Sequence, residues 1–340
     1  MRSQRFGIEM EMTGIPRRKA AEVIAAYFDT HEVYDSGTYD AYHVTDGQGR
    51  KWKVVSDASI HPAVRDGRSA STLYKVEVVS PICHYEDIET IQELVRKLRH
   101  AGACVNRSCG IHIHVDAAPH SVKTLRNLVN IMVSKEDLLY KALAVDVARE
   151  DHYCQKTDLS FLEELNRKKP KSIENFERMW YHGDSRRFDH YDETRYHALN
   201  LHSVFSKGTI EFRLFNGTMH AGKVKTYIQL SLAISHQALV QKGASHSRTK
   251  STNEKYTFRT WLLRLGMIGE EFQTARKFLL ENLEGNIAWK DPAQAERQKE
   301  RLAAKRMEEA AQGLQETEEA PEQESETEMQ QDEGFTMQMF

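Results

Sequence analysis

The sequence predicts an α+β fold with a mixed or antiparallel sheet. Three observations point there: short segments that alternate apolar and polar residues, longer segments with helical apolar spacing, and an irregular order of the two without a repeated βαβ rhythm. The chain carries no internal repeat. Its 340 residues allow one large domain or two ordinary ones.

The first strand is expected in "RFGIEMEMT", residues 5–13, where Ile8, Met10 and Met12 alternate with Glu9, Glu11 and Thr13. "IPRRKAAEVIAAYF" then has helical spacing. "KWKVVSD" and "LYKVEVVSP" read as strands, and "YEDIETIQELVRKLRHAG" reads as a helix stopped by Gly102. "GIHIHVD", residues 110–116, sends His112, His114 and Asp116 to one face and Ile111, Ile113 and Val115 to the other. "SVKTLRNLVNIMVSKEDLLYKAL" is a helix capped by Ser121, and "TIEFRLFN" is a strand with Glu211 and Arg213 opposite Ile210, Phe212 and Leu214. Three helices follow, in "GKVKTYIQLSLAISHQALV", "TFRTWLLRLG" and "GEEFQTARKFLLENL".

Composition changes near Asp291. Residues 291–315 are expected to form a charged helix with little apolar surface, projecting from a catalytic body of residues 1–290. Residues 316–340 are rich in acid without Lys or Arg and are expected to be a disordered tail, a candidate docking element for a protein partner.

Lys plus Arg number 47 and Asp plus Glu 50, a net charge of -3 that argues against a nucleic-acid binder or a membrane-surface protein. No run approaches the roughly 20 apolar residues of a membrane helix, and the start lacks the apolar stretch of a signal peptide. The expectation is a soluble, cytoplasmic protein. Cys83, Cys104, Cys109 and Cys154 form no CxxC pair, which suits reduced thiols.

One polar strand face is common; four built from Glu, His and Arg are not. β-Propensity disfavours Glu, and gathering Glu9, Glu11, Glu77 and Glu211 would oppose folding unless cations neutralise them. Oxygen-rich ligands with the His112 imidazole suit Mg²⁺ or Mn²⁺ better than structural zinc. Arg213 and Arg195 would match the charge of a transferring phosphoryl group. There is neither a GxxxxGK[ST] loop nor a GxGxxG turn, so a P-loop or Rossmann nucleotide site is excluded.

Taken in order, "FGIEMEMTG", "VVSDASI", "VEVVSPI", "CGIHIHVD" and "TRYHALNLHSVFSKGTIEFRLFNGT" resemble the motifs of the amidoligase family, which belongs with glutamine synthetase and glutamate-cysteine ligase. The resemblance implies a mostly antiparallel, funnel-like sheet, its concave face forming the site for ATP and two or more divalent cations, with helices packed on the other face. It implies metal ligation by Glu9, Glu11, Glu77, His112 and Glu211. It places His114 at the phosphates, and Arg213 at the transferring phosphoryl group. Arg195 and Asn200 would contact phosphate or substrate. Asp57 and Ser59 lie in a motif near the acceptor amine, with Asp57 the candidate base. The implied reaction joins a carboxylate and an amine through an acyl phosphate.

Two other readings of the His-rich strand stay open here. The HxHxD string also occurs in metal hydrolases, although Ala117 stands where their last His belongs. Cys104, Cys109, His112 and His114 are the alternative ligands of a non-catalytic zinc module, at poor spacing. "NRKKPKS", residues 166–172, is a basic loop expected to be a solvated turn, and "WYHGDSRRFDHYDETR", residues 180–195, is either a loop over the acceptor site or plain connection. His152, His182 and His190 receive surface or core roles.

Overall fold

A computed structural model describes residues 1–36 and 40–318. By its contacts the chain divides into two units, residues 1–290 and residues from 291 onward. The first unit is an open eight-stranded antiparallel sheet packed against helices.

The strands are β1 (Phe6–Met12), β2 (Glu32–Asp35), β3 (Ala41–Thr45), β4 (Lys51–Val55), β5 (Val76–Val79), β6 (Gly110–Asp116), β7 (Leu199–Asn200) and β8 (Thr209–Asn216). Their spatial order is β2-β3-β4-β5-β1-β6-β8-β7, so β1 lies near the middle between β5 and β6. The helices are α1 (Arg17–Phe28), α2 (Ile88–His100), α3 (Val122–Leu143), α4 (Val147–His152), α5 (Leu159–Lys168), α6 (Ile173–Trp180), α7 (His202–Lys207), α8 (Ala221–Val240), α9 (Glu254–Arg264) and α10 (Gln273–Glu281).

Period-2 alternation gives the central strands one wholly apolar face. Ile8, Met10 and Met12 of β1, Val76 and Val78 of β5, Ile111 and Ile113 of β6, and Ile210 and Phe212 of β8 are all at most 3% exposed and share one core with the helices. That burial removes the two apolar faces, sheet and helix, from water together, and it leaves the acid- and imidazole-bearing face on the side away from the core. Ser121 caps α3 by accepting from the Thr124 amide, and Gly102 follows α2 at φ +107°, a conformation open to glycine.

Strands β2, β3 and β7 and helices α4 through α7 lie in segments whose local pattern does not announce them. β2 is an edge strand exposed along most of its length, so it shows no buried face to read. α5 and α6 are short and take their starts from Asp158 and Ser172, whose side chains accept from Phe161 N and Asn175 N.

The second unit contains one further helix, α11 (Pro292–Glu318). The acidic stretch beyond it, residues 319–340, lies outside the described residues.

A buried chain of polar groups ties the start of the protein to α8. Gln4 donates to the Leu232 carbonyl at 2.7 Å, Ser235 Oγ donates to Gln4 Oε1 at 2.6 Å, and that leaves Ser235 to accept from His120 Nε2 at 3.0 Å. His120 Nδ1 is buried without a partner, and burial lowers the imidazole to about 4 although the Asp116 charge pulls the other way. The folded protein therefore refuses a proton that the unfolded chain accepts below its ordinary value of 6.5. Stability from this group is complete above pH 6.5 and is lost as pH falls toward 4, by at most about 3 kcal/mol. Denaturant unfolding at several pH values should show His120→Asn with a flatter acid limb than the wild type; identical limbs would remove His120 from the account.

Candidate active site

Antiparallel register places the polar side chains of β1, β5, β6 and β8 opposite one another. Glu11 pairs with Glu77, Glu9 with His112, and His114 with Glu211. Across these pairs His112 Nδ1 lies 3.1 Å from Glu9 Oε2, and His114 Nε2 lies 3.2 Å from Glu9 Oε1. His112 also stands 3.7 Å from Glu211 and 3.9 Å from Glu11. One sheet face thus gathers four carboxylates around two imidazoles.

β8 breaks register beside this cluster. Ile113 faces Phe212, but Ile111 faces Phe215, so two residues of β8, Arg213 and Leu214, stand against His112 alone. This bulge keeps Arg213 beside Glu211, whose Oε1 accepts from Arg213 Nη1 at 2.5 Å, and still returns Phe215 to the core against Tyr227. Asn200 of β7 donates to the other oxygen, Glu211 Oε2, at 2.6 Å. Both oxygens of Glu211 are therefore fixed by hydrogen bonds.

Burial opposes every charge here, and the neighbours decide the outcome. For Glu9, the His114 and His112 rings outweigh burial and hold its carboxyl well below the usual carboxylate range. Glu211 is drawn down to about 2, because Arg213 and His114 overcome its burial. Arg213 and His114 are raised against their own burial, Arg213 by Glu211 and His114 by Glu9 and Glu211. Glu77 has no such partner: burial, then Glu9, Glu11 and Asp57, push it well above the usual range. An acid raised by burial and by neighbouring acids marks a place that a cation would stabilise.

Glu9, Glu11, Glu77 and His112 of the cluster, with Arg213, line the floor of a cavity of about 740 Å³. Asp57, Ser59 and Lys75, from the segments after β4 and before β5, also line it, as do Arg149, Tyr153, Arg195 and Tyr196. A second cavity, of about 330 Å³, shares Glu9 and Lys207 with the first and has Val79, Pro81, Ile82 and His114 in its wall.

A sequence model of the family described as "Putative amidoligase enzyme" matches residues 2–235. The chain belongs to the amidoligase family. Among curated proteins nothing matches it. Membership implies a carboxylate–amine ligase that uses ATP, and the matched span contains every strand of the sheet and every residue of the cluster.

In this amidoligase the residues singled out from sequence fall into three places. Glu9, Glu11, Glu77, His112 and Arg213 line the cavity, and Glu211, 2% exposed, sits beside them against Glu9, His112 and Arg213. Asp57, Ser59 and Arg195 line the cavity; Ser59 donates its amide at 2.7 Å and its hydroxyl at 2.5 Å to Asp57 Oδ1, and Arg195 Nη1 donates to the His190 carbonyl at 2.6 Å. Asn200 is 2% exposed, with its amide committed to Glu211. His114 faces the smaller cavity, where Asp116 turns away to Arg5 at 2.6 Å.

Two groups can hold a metal ion among the described residues: Glu9, His112 and Glu211, and Glu11, Glu77 and His112. Neither includes a cysteine. Cys109 is buried with its Sγ near Asn106, Cys104 pairs through its backbone with Thr13, and the zinc module of Cys104, Cys109, His112 and His114 is not assembled.

Sequence reasoning missed Lys75, Arg149, Tyr153, Tyr196 and Lys207 as cavity residues. Lys207 ends a helix absent from the sequence reading, and Arg149 and Tyr153 belong to α4 and its end. The loop "WYHGDSRRFDHYDETR" does reach the cavity through His190, Tyr191 and Arg195, while Phe188 is exposed. "NRKKPKS" closes α5 beside a separate basic groove.

Proposed function

We propose that this amidoligase activates a substrate carboxylate with ATP as an acyl phosphate and transfers the acyl group to an amine. The observation that carries the proposal is the cluster of Glu9, Glu11, Glu77, His112 and Arg213 in one cavity, with Glu211 held against Glu9, His112 and Arg213 beside it. The funnel form of the glutamine synthetase type is part of the same reading, with the two adjoining cavities as its openings.

The floor suits Mg²⁺ or Mn²⁺. Its donors are mainly carboxylate oxygens, and burial together with Glu9, Glu11 and Asp57 raises the Glu77 carboxyl well above the usual range, which a bound cation would offset. Glu9, His112 and Glu211, and Glu11 and Glu77 with His112, would hold the ions. Bound there, divalent ions would neutralise phosphate charge and polarise the reacting phosphoryl group.

Arg213 would bind the transferring phosphoryl oxygens, oriented by Glu211, with Arg195, which shares the Tyr196 ring with it, as a second donor. The smaller cavity offers Val79, Pro81 and the exposed Ile82 as an apolar wall for a purine, with His114 and Lys207 toward the phosphates. A carboxylate oxygen attacks the γ-phosphorus; the new O–P bond forms as the bond to ADP breaks. The amine nitrogen then attacks the acyl carbon and phosphate leaves. Ser59 holds one oxygen of Asp57, which leaves Oδ2 to take the proton lost by the amine.

Incubation with ATP, Mg²⁺ and pools of carboxylic acids and amines is expected to release phosphate and to yield a condensed product by mass spectrometry. Asp57→Asn should lower product formation about a hundredfold. Phosphate release that never depends on an added amine, across broad pools, would count against the transfer step.

A further inference from the structure

Arg149 is 2% exposed, yet among the described residues no carboxylate pairs with it. The other buried arginines differ: Arg17 pairs with Asp40, and Arg213 with Glu211. The Arg149 guanidinium has one acceptor, the Arg213 carbonyl, 3.3 Å from Nη2, and its Nε is buried with none. The side chain nevertheless lines the 740 Å³ cavity. A buried cation without an anion is costly unless something bound supplies the charge.

The backbone is arranged to put this group there. Asp146 caps α4 by accepting from the Ala148 amide at 3.0 Å, and the Arg149 carbonyl accepts from the amides of Tyr153 and Cys154 at 2.8 and 2.9 Å. The guanidinium lies against Gly110 at the start of β6, where a Cβ would come within 2.4 Å of Nη2, 2.7 Å of Nη1 and 2.8 Å of Cζ. Gly110 is thus the residue over which the guanidinium fits, and its amide donates to Glu11 at 2.5 Å. The Tyr153 ring centre is 5.9 Å from the Arg149 Cζ; Tyr196, edge-on to Tyr153, has Arg195 and Arg213 at 5.7 and 5.9 Å. This part of the cavity lining is cationic and aromatic.

We propose that Arg149, seated on Gly110, forms an oxyanion subsite of the cavity that binds a carboxylate or phosphoryl group. The identity of the ligand rests on the ligase reading, but the binding does not, because it is measurable without turnover.

The test is calorimetric titration of the full-length protein, with Mg²⁺ and without ATP, using inorganic phosphate in one arm and acetate, succinate and glutarate in the other. Wild type is expected to bind in at least one arm, and Arg149→Gln to bind at least tenfold more weakly in that arm. Arg149→Lys should recover part of the loss, since it restores charge but not the fork. Gly110→Ala should weaken binding as well, by displacing the guanidinium. Weakening confined to the carboxylates assigns the subsite to the acyl donor, and weakening confined to phosphate assigns it to the transferred group. A folded Arg149→Gln or Arg149→Lys protein that binds every probe as the wild type does overturns the subsite, as does folded wild type that binds none. Anion binding through Arg149 in a protein that turns over no ATP would keep the subsite and remove the ligase reading.

Discussion

Glu211→Gln is expected to lower ATP-dependent turnover by about a thousandfold or more, the largest loss for any single isosteric change in this protein. Glutamine keeps the shape and one oxygen but removes the charge that both Arg213 and a cation would use. Arg213 Nη1 and Asn200 Nδ2 now hold the two Glu211 oxygens at 2.5 and 2.6 Å. With glutamine, one of these donors meets an amide NH₂ and must turn away, so Arg213 loses its orientation as well as its counter-charge. Two measurements separate the causes. Phosphate release in the amine-and-acid assay should fall to background, and the rise in melting temperature that Mg²⁺ gives the wild type should vanish. Full turnover by a folded Glu211→Gln protein would falsify the assigned site.

The largest loss of stability is expected from Arg17→Met. Arg17 is 3% exposed in the first turn of α1. Its Nη1 donates to the carbonyls of Thr72 and Lys75 at 2.6 and 2.9 Å, its Nε to the Asp40 carbonyl at 3.0 Å, and its Nη2 pairs with the Asp40 carboxylate. Methionine fills similar space and satisfies none of these acceptors. Leaving three carbonyls and a carboxylate unpaired costs about 3 kcal/mol or more. In a unit of this size that lowers Tm by about 5 °C or more. Arg18→Met, one residue on and 68% exposed at its side chain, should change stability by less than about 0.5 kcal/mol. The Thr72–Lys75 segment leads into β5, which carries Glu77, and Lys75 Nζ holds the Ala58 carbonyl beside Asp57 at 2.6 Å. Arg17→Met should therefore also reduce turnover, through position and without touching substrate. Equal melting temperatures for the two variants would discard this role.

Arg17 and Arg18 show where legibility ends. Both stand in "IPRRKAAEV", and nothing local says which one turns inward. The difference comes from carbonyls more than fifty residues away. Arg149 is the same case: an arginine in an unremarked segment becomes a cavity residue because α4 is docked over Gly110. The segment from 147 to 207 was read poorly for a related reason. Its helices are short, and they are fixed by caps and by packing such as Phe161 against Phe176 and Trp180. Asn200 looked like a ligand-contacting amide from its motif; register with Glu211 gives that amide a carboxylate partner inside the protein.

By itself the sequence determined the strands β1, β5, β6 and β8 and the composition of their polar faces, because a side-chain period of two is a local property and needs no partner to be read. It therefore also determined that acids and imidazoles would share a side of any sheet those strands built. Only the tertiary structure decided which acid meets which ring, since strand order, register and the bulge at Arg213 are set by apolar contacts between segments distant in the chain. The raised titration of Glu77, the seating of Arg149 and the commitment of Arg17 all follow from those distances, for electrostatic interaction depends on separation and burial in space, which the order of residues does not encode.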